Sequence, residues 1–399
     1  MDEIAAVSQT AATLVRLTRT VQGLRHIAQN LPAPVRLRLA DCTATAMSHD
    51  DAQSVIADAF RGFGVPELLF VAKGDGDLSS FEHLLSRHLC AALGAGADDF
   101  ETVGLDTEMP DGLPDFVETA GVAREPGVTL DAYACGQRDA PPLVMVLPFG
   151  MPVELCAGWI AELSRHHYVV TWGTRCLFGA CADFDVARGD LYAQVEDLFE
   201  VMAHFGVDDA QLMGICGGAV TAIAAAAEAR RAARVTSLSL WYGDYPFGEA
   251  GLRTPHQANF EWLMEAAAQG RDEARELQQM FVDPGTLATT PREIAHLALY
   301  PYANAELFYR YACLNDALNK TDILPWMSRV TVRTLIVTGD ADETTHAGGS
   351  AFVAERIPGA RLVVEPGGSH TAFFGMPAPS ASLARAFHRE TLPVLPAAG

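Results

Sequence analysis

Apolar positions recur at helical spacing from Ile4 to Ala28 and then crowd into a short run at Val35 to Leu39. Helical spacing returns at Asp51 to Phe60 and at Phe81 to Leu93, with a second short apolar run, Leu68 to Ala72, between them. Gly94 to Gly121, with its Gly, Asp and Pro, reads as a linker. From Arg124 the rhythm changes. Val128 to Ala134 and Pro142 to Leu147 predict strands connected through the polar turn Gly136-Gln137-Arg138-Asp139. A helix (Glu154 to Arg165), a strand (Tyr168 to Trp172), a helix (Leu191 to Phe205), a strand (Ala210 to Ile215), an Ala-rich helix (Ala219 to Ala233) and a buried strand (Val235 to Trp241) follow. Short apolar runs alternating with helical ones are the mark of an α/β fold whose mostly parallel sheet is covered by helices on both faces.

The alternation stops after Trp241. Gly243 to Ser328 is helical, rich in aromatic residues, and carries no convincing strand. The sheet pattern resumes with Val332 to Thr338, a helix around Gly349 to Arg356, the strand Arg361 to Val364 and a last helix, Ala381 to Arg389. The expected organisation is an N-terminal α/β appendage (1–123), a core formed by 124–243 and 329–399, and a helical lid (244–328) inserted between two late strands.

The 399 residues carry 28 basic and 50 acidic side chains, a formal charge of −22, so a phosphate backbone would be repelled and nucleic acid is not an expected partner. An apolar fraction of 49% fits a folded globular chain. No apolar stretch is long enough to span a bilayer, and the first 30 residues lack the basic-then-apolar plan of a signal peptide, which together point to a cytoplasmic protein without a membrane partner. The eight cysteines are scattered without pairing rhythm, so reduced thiols are expected. Cys176 and Cys181 with His166 and His167 do not complete a zinc pattern, so neither a metal nor another cofactor is expected.

The sharpest chemical signal is Gly214-Ile215-Cys216-Gly217-Gly218, set between an apolar strand and an Ala-rich helix. It is the G-x-nucleophile-x-G elbow with cysteine as the nucleophile. Glycines on either side relieve the collisions that so tight a turn would create. The turn delivers the thiol to a helix start, where free amides and the dipole favour a thiolate. A thiol nucleophile needs a base and the base an orienting acid. His370, in Pro366-Gly367-Gly368-Ser369-His370 after the last strand, is the base the order of elements supplies. Two acids compete: Asp342, after the strand preceding the His370 strand, and Asp244, after the strand that follows the elbow. Both would reach the carboxyl edge of the sheet. An oxyanion hole would combine the Gly217 amide with Phe149 or Gly150 from the loop Pro148-Phe149-Gly150-Met151, Pro148 having no amide hydrogen.

Over residues 124 to 399 the sequence resembles the α/β-hydrolase superfamily, in the order Cys216, Asp342, His370. The Gly-Ile-Cys-Gly-Gly elbow is similar to that of polyhydroxyalkanoate synthases and dienelactone hydrolases, and Tyr168-Val-Val-Thr-Trp-Gly173 to the strand before the elbow in the synthases. It also resembles the cysteine Dieckmann cyclases, in which the acid follows the strand after the elbow, the place of Asp244.

Cysteine suits acyl transfer. Attack on an acyl thioester exchanges one thioester for another and keeps the carbonyl electrophilic for a later nucleophile. The expected activity is that of a cysteine-dependent acyltransferase or cyclising chain-release enzyme of polyketide or related metabolism. The alternatives are a thioester, ester or lactone hydrolase with the same triad and an inactive hydrolase-fold scaffold used for binding. The expected partner is an acyl thioester, on coenzyme A or on an acidic carrier protein. Arg16, Arg19, Arg25, Arg36 and Arg38 against Asp2 and Glu3 make the first 40 residues locally basic, a candidate docking face for such a carrier.

Overall fold

The computed structural model describes residues 2–39, 48–65, 67–72, 75–94, 118–228, 230–247, 252–282 and 294–390. Two compact units emerge: Met1–Gly112 with Gly270–Phe308, and Leu113–Gln269 with Tyr309–Gly399. The stretch expected to form one lid is therefore divided, since 270–308 joins the N-terminal residues while its flanks belong with the sheet. The apolar faces explain the division. Helices Arg271–Val282 and Ala295–Ala298 pack on the N-terminal helix Ser80–Ala92, and the latter also on Asp2–Asn30, burying Ala295 and Leu297.

In the first unit, Leu17, Val21, Leu24 and Ala28 recur at helical spacing along Asp2–Asn30 and are fully buried. That face meets helices His49–Gly62 and Ser80–Ala92. Two short parallel strands, β1 (Val35–Leu37) and β2 (Leu68–Phe70), complete it. Glu82 ties the parts together. Its carboxylate accepts from the Arg36 guanidinium at 2.7 and 3.0 Å, from the Arg36 amide at 2.9 Å and from the Ser79 amide at 2.8 Å in a capping box. The basic character of this segment is partly spent internally: Arg36 on Glu82, Arg16 on Ala92 O and Thr13 Oγ1, and Arg38 on Gly76 O. Cys90 is disulfide-bonded, which corrects the expectation that every thiol is reduced.

The second unit holds a sheet of β3 (Glu118–Ala123), β4 (Val128–Cys135), β5 (Pro142–Val146), β6 (Tyr168–Trp172), β7 (Ala180–Cys181), β8 (Ala210–Ile215), β9 (Val235–Trp241), β10 (Arg333–Gly339) and β11 (Arg361–Glu365). The spatial order is β11-β10-β9-β8-β5-β6-β4-β3, with β7 beside β4. The pairs from β11 to β6 are parallel, while β4 runs antiparallel to β6, β3 and β7. The expected linker Gly94 to Gly121 is revised at its end, because 118–121 are strand; its residues 95–117 lie outside the described residues. Every residue of β6 and β8 is buried, as continuous apolar strands covered on both faces should be. Helix Gly218–Ala227 packs on β8, β9 and β5, and its alanines let it approach closely: all ten residues are buried. Parallel direction brings the carboxyl ends of β5, β8, β9, β10 and β11 to one edge, where the loops bearing Phe149, Cys216, Asp244, Asp342 and His370 begin. No helix among the described residues is long and apolar enough to cross a membrane.

Candidate active site

Cys216 directly follows β8 with φ +51°, a left-handed conformation that a side chain adopts only under constraint. The constraint is visible on both sides. The Cys216 amide donates to Trp241 O at 3.0 Å, and its carbonyl accepts from Ala219 N at 3.0 Å and Asp244 N at 3.2 Å. The flanking glycines are required by close approach: a Cβ on Gly214 would lie 2.7 Å from the Ala219 Cα, and one on Gly218 would lie 2.3 Å from Val146 O. As a residue, Cys216 retains partial exposure.

His370 opens the short helix His370–Phe374, capped by Ser369. That helix is clamped from below by aromatic packing. Phe373 stacks on Trp159 at 4.7 Å and on Trp241 at 5.8 Å, and the Trp159 indole N–H donates to Phe373 O at 2.9 Å. Tyr242 meets the imidazole edge-on at 5.9 Å and donates its hydroxyl to Glu365 Oε2 at 2.6 Å. The imidazole bonds Asp342 Oδ2 through Nδ1 at 3.0 Å and lies within hydrogen-bonding reach of the Cys216 thiol, which leaves Nε2 for the sulfur. Burial alone would lower the imidazole pKa. The charge of a Cys216 thiolate and the bonds to Asp342 and Cys216 outweigh it and raise the value to about 10. The net effect favours the protonated imidazole.

Asp342 is fully engaged. Its Oδ1 accepts the amides of Thr344 (2.8 Å) and Thr345 (2.9 Å), and its Oδ2 accepts the Thr345 hydroxyl (2.7 Å) besides His370. Burial would push its carboxyl up, but the bonds from His370 and Thr345 hold it below the ordinary range. Asp244, the other candidate, does not pair with the imidazole. Its Oδ1 takes the Gln257 side-chain amide at 2.7 Å, and burial raises its carboxyl. Gln257 is held in turn by a capping box with Thr254 and by the His346 amide, which donates to its Oε1 at 3.0 Å.

The oxyanion candidates separate. The Gly150 amide donates to Thr174 Oγ1 at 2.9 Å and is withdrawn from the donor set, because a spent N–H cannot also face a developing charge. Phe149 N lies 3.8 Å from the position a Cβ on Gly217 would take, so the two residues adjoin. Among the described residues neither the Phe149 nor the Gly217 N–H has an acceptor.

Sequence reasoning missed Thr345, Thr174, Gln257 and Tyr242. Thr345 had a local signal, an Asp with a Thr three residues on, which is the spacing of a side-chain-capped turn. Thr254-x-x-Gln257 likewise announces a capping box. The partners of Thr174 and Tyr242, and the contact of Gln257 with His346, come from distant segments and leave no local trace.

No protein-family model matches the chain, and no curated protein matches it. Solved structures do. An esterase from Rhodococcus sp. ECU1013 superposes with a TM-score of 0.55 at 19% identity, covering 69% of this chain and 99% of that one. The chain has the α/β-hydrolase fold. Other structures similar to this α/β-hydrolase fold are a hydrolase from Pseudomonas aeruginosa PA01 (TM-score 0.54, 21% identity, 67% of this chain, 97% of that one) and an enol-lactonase from Burkholderia xenovorans LB400 (TM-score 0.50, 21% identity, 68% and 97%). Coverage of about two thirds is what an α/β-hydrolase core with additional segments would produce.

Proposed function

We propose that the protein is a cysteine-dependent acyltransferase or cyclising chain-release enzyme acting on acyl thioesters, with Cys216 as nucleophile, His370 as base and acid, and Asp342 as the orienting carboxylate. The observation that carries this reading is the imidazole of His370, bonded on one side to Asp342 and reaching the Cys216 thiol with the other. The thiolate attacks the thioester carbonyl, the Phe149 and Gly217 amides receive the oxyanion, and His370 protonates the departing thiol. The acyl group then rests on Cys216 as a thioester. An oxygen, nitrogen or carbon nucleophile gives its proton to His370 and takes the acyl group, or a nucleophile within the same chain closes a ring. The resemblance of the Gly-Ile-Cys-Gly-Gly elbow to synthases and cyclases supports donors of the polyketide type, carried on coenzyme A or a carrier protein.

A second reading is hydrolysis of the same thioester, or of an ester or lactone. It draws on the names of the structural neighbours, a hydrolase, an esterase and an enol-lactonase. Intact-mass measurement after mixing with a short acyl thioester tests both. An adduct that is absent from Cys216→Ala and is discharged onto an added amine or alcohol is the expected result. Free acid as the sole product, whatever acceptor is present, replaces transfer by hydrolysis. Absence of any adduct or turnover overturns both.

A further inference from the structure

Cys176 and Cys181 take no part in the chemistry proposed for Cys216, yet their sulfurs lie 2.9 Å apart. That is inside the contact distance of unbonded sulfurs and less than an ångström beyond a disulfide bond of about 2.05 Å. The scaffold imposes the approach. Cys176 is held with φ +63°, a conformation it would not choose freely. The preceding Arg175, 1% exposed, is fixed by two bonds to Asp197 at 2.8 and 2.9 Å. Cys181 lies in β7, in register with Val128 of β4. Thr174 and Phe178 close the turn between them through Phe178 N to Thr174 O at 3.1 Å.

We propose that Cys176 and Cys181 form a reversible disulfide site, closed by a small-molecule disulfide of the glutathione type and reopened by a dithiol. The two thiols differ in access, which sets the order of events. Cys181 is half-buried and meets the oxidant first; its thiolate attacks one sulfur of the oxidant, expelling a thiolate and leaving a mixed disulfide. Cys176, 4% exposed and with its thiol pushed up to about 12 by burial and by the Cys181 sulfur, does not compete for the oxidant. It surrenders its proton and attacks Cys181 Sγ, releasing the second small thiol. Two protein thiols are oxidised to one disulfide, and one small disulfide is reduced to two thiols. The bond staples the loop whose Thr174 accepts the Gly150 amide, next to the oxyanion amides.

The test uses the full-length protein with oxidised glutathione, followed by alkylation under denaturing conditions and peptide mass analysis. The expected product after trypsin is a single peptide carrying both Cys176 and Cys181 that lacks two hydrogens, escapes alkylation, and regains both thiols with dithiothreitol. In Cys181→Ser and Cys181→Ala, Cys176 should remain a free, alkylatable thiol. Alkylation of both cysteines in the oxidised wild type, or a glutathione adduct that persists on Cys181 beside a free Cys176, would overturn the proposal. The readout is independent of acyl chemistry at Cys216, so either reading can fail alone.

Discussion

The loops after β9 and β10 each place an aspartate at the carboxyl edge of the sheet, and their electrostatics diverge. Asp342 gathers four donors from Thr344, Thr345 and His370 and stays ionised below the ordinary carboxylate range. Asp244 receives one side-chain amide, from Gln257, and its buried carboxyl is pushed up. Position after a strand thus brings either residue to the site. The number of donors aimed at the carboxylate decides which one can sustain an imidazolium.

Replacing the two acids one at a time is the strongest way to break this contrast. Asp342→Asn should lower kcat/KM for an acyl thioester by about 10³ to 10⁴, because the imidazole loses both its orientation and its counter-charge. Asp244→Asn should cost less than about tenfold; a larger loss than in Asp342→Asn would reverse the assignment.

The pH dependence separates the loops next. His370, raised from 6.5 to about 10, contributes stability that is fully present below its unfolded value and is lost as pH rises through about 10. Asp342, lowered, contributes stability present above its unfolded value of 3.8 and lost as pH falls through its lower folded value. Asp244 has the opposite sign: with its folded pKa raised, stability declines as pH rises from 3.8 into that range. Thermal unfolding against pH should therefore show the alkaline loss weakened in Asp342→Asn, and Asp244→Asn neutral or stabilising near pH 7. A profile unchanged by either substitution would dissolve the contrast.

Smaller effects sharpen it. Thr345→Val removes the hydroxyl bond to Asp342 Oδ2 and should lower kcat by roughly tenfold with little change in KM. Gln257→Leu strips Asp244 of its amide and should lower stability by about 1 kcal/mol while leaving kcat near wild type. Comparable kcat losses in these two variants would mean that Asp244 shares the orienting role.

Much of the sheet was legible before any coordinates. Tyr168–Trp172, Ala210–Ile215 and Val235–Trp241 coincide with their expected runs, because strands covered on both faces are written as mostly apolar sequence, although Thr236 is exposed and Ser237 and Ser239 are buried polar residues. The elbow was legible for a steric reason, since only glycine tolerates the approach of Ala219 and Val146 O. The edge strand Glu118–Ala123 was not: half-exposed and rich in small residues, it resembles the linker that precedes it. The division of the helical insertion was hidden as well. Helices Arg271–Val282 and Pro255–Ala267 have similar lengths, and nothing local says that they join different units.

The linear order of residues determined the strand-and-helix alternation, the cysteine on its strained turn and the histidine after the final strand, because each is a local steric or periodic requirement. Tertiary structure decided that Asp342 and not Asp244 meets the imidazole, that the Gly150 amide is spent on Thr174, and that the Cys176 and Cys181 sulfurs face each other. The first two outcomes depend on which donor and acceptor atoms come within about 3 Å across long sequence separations, and hydrogen bonding is too short-ranged for sequence spacing to specify them; the third depends on the local turn that holds Cys176 at φ +63° and returns the chain to Cys181.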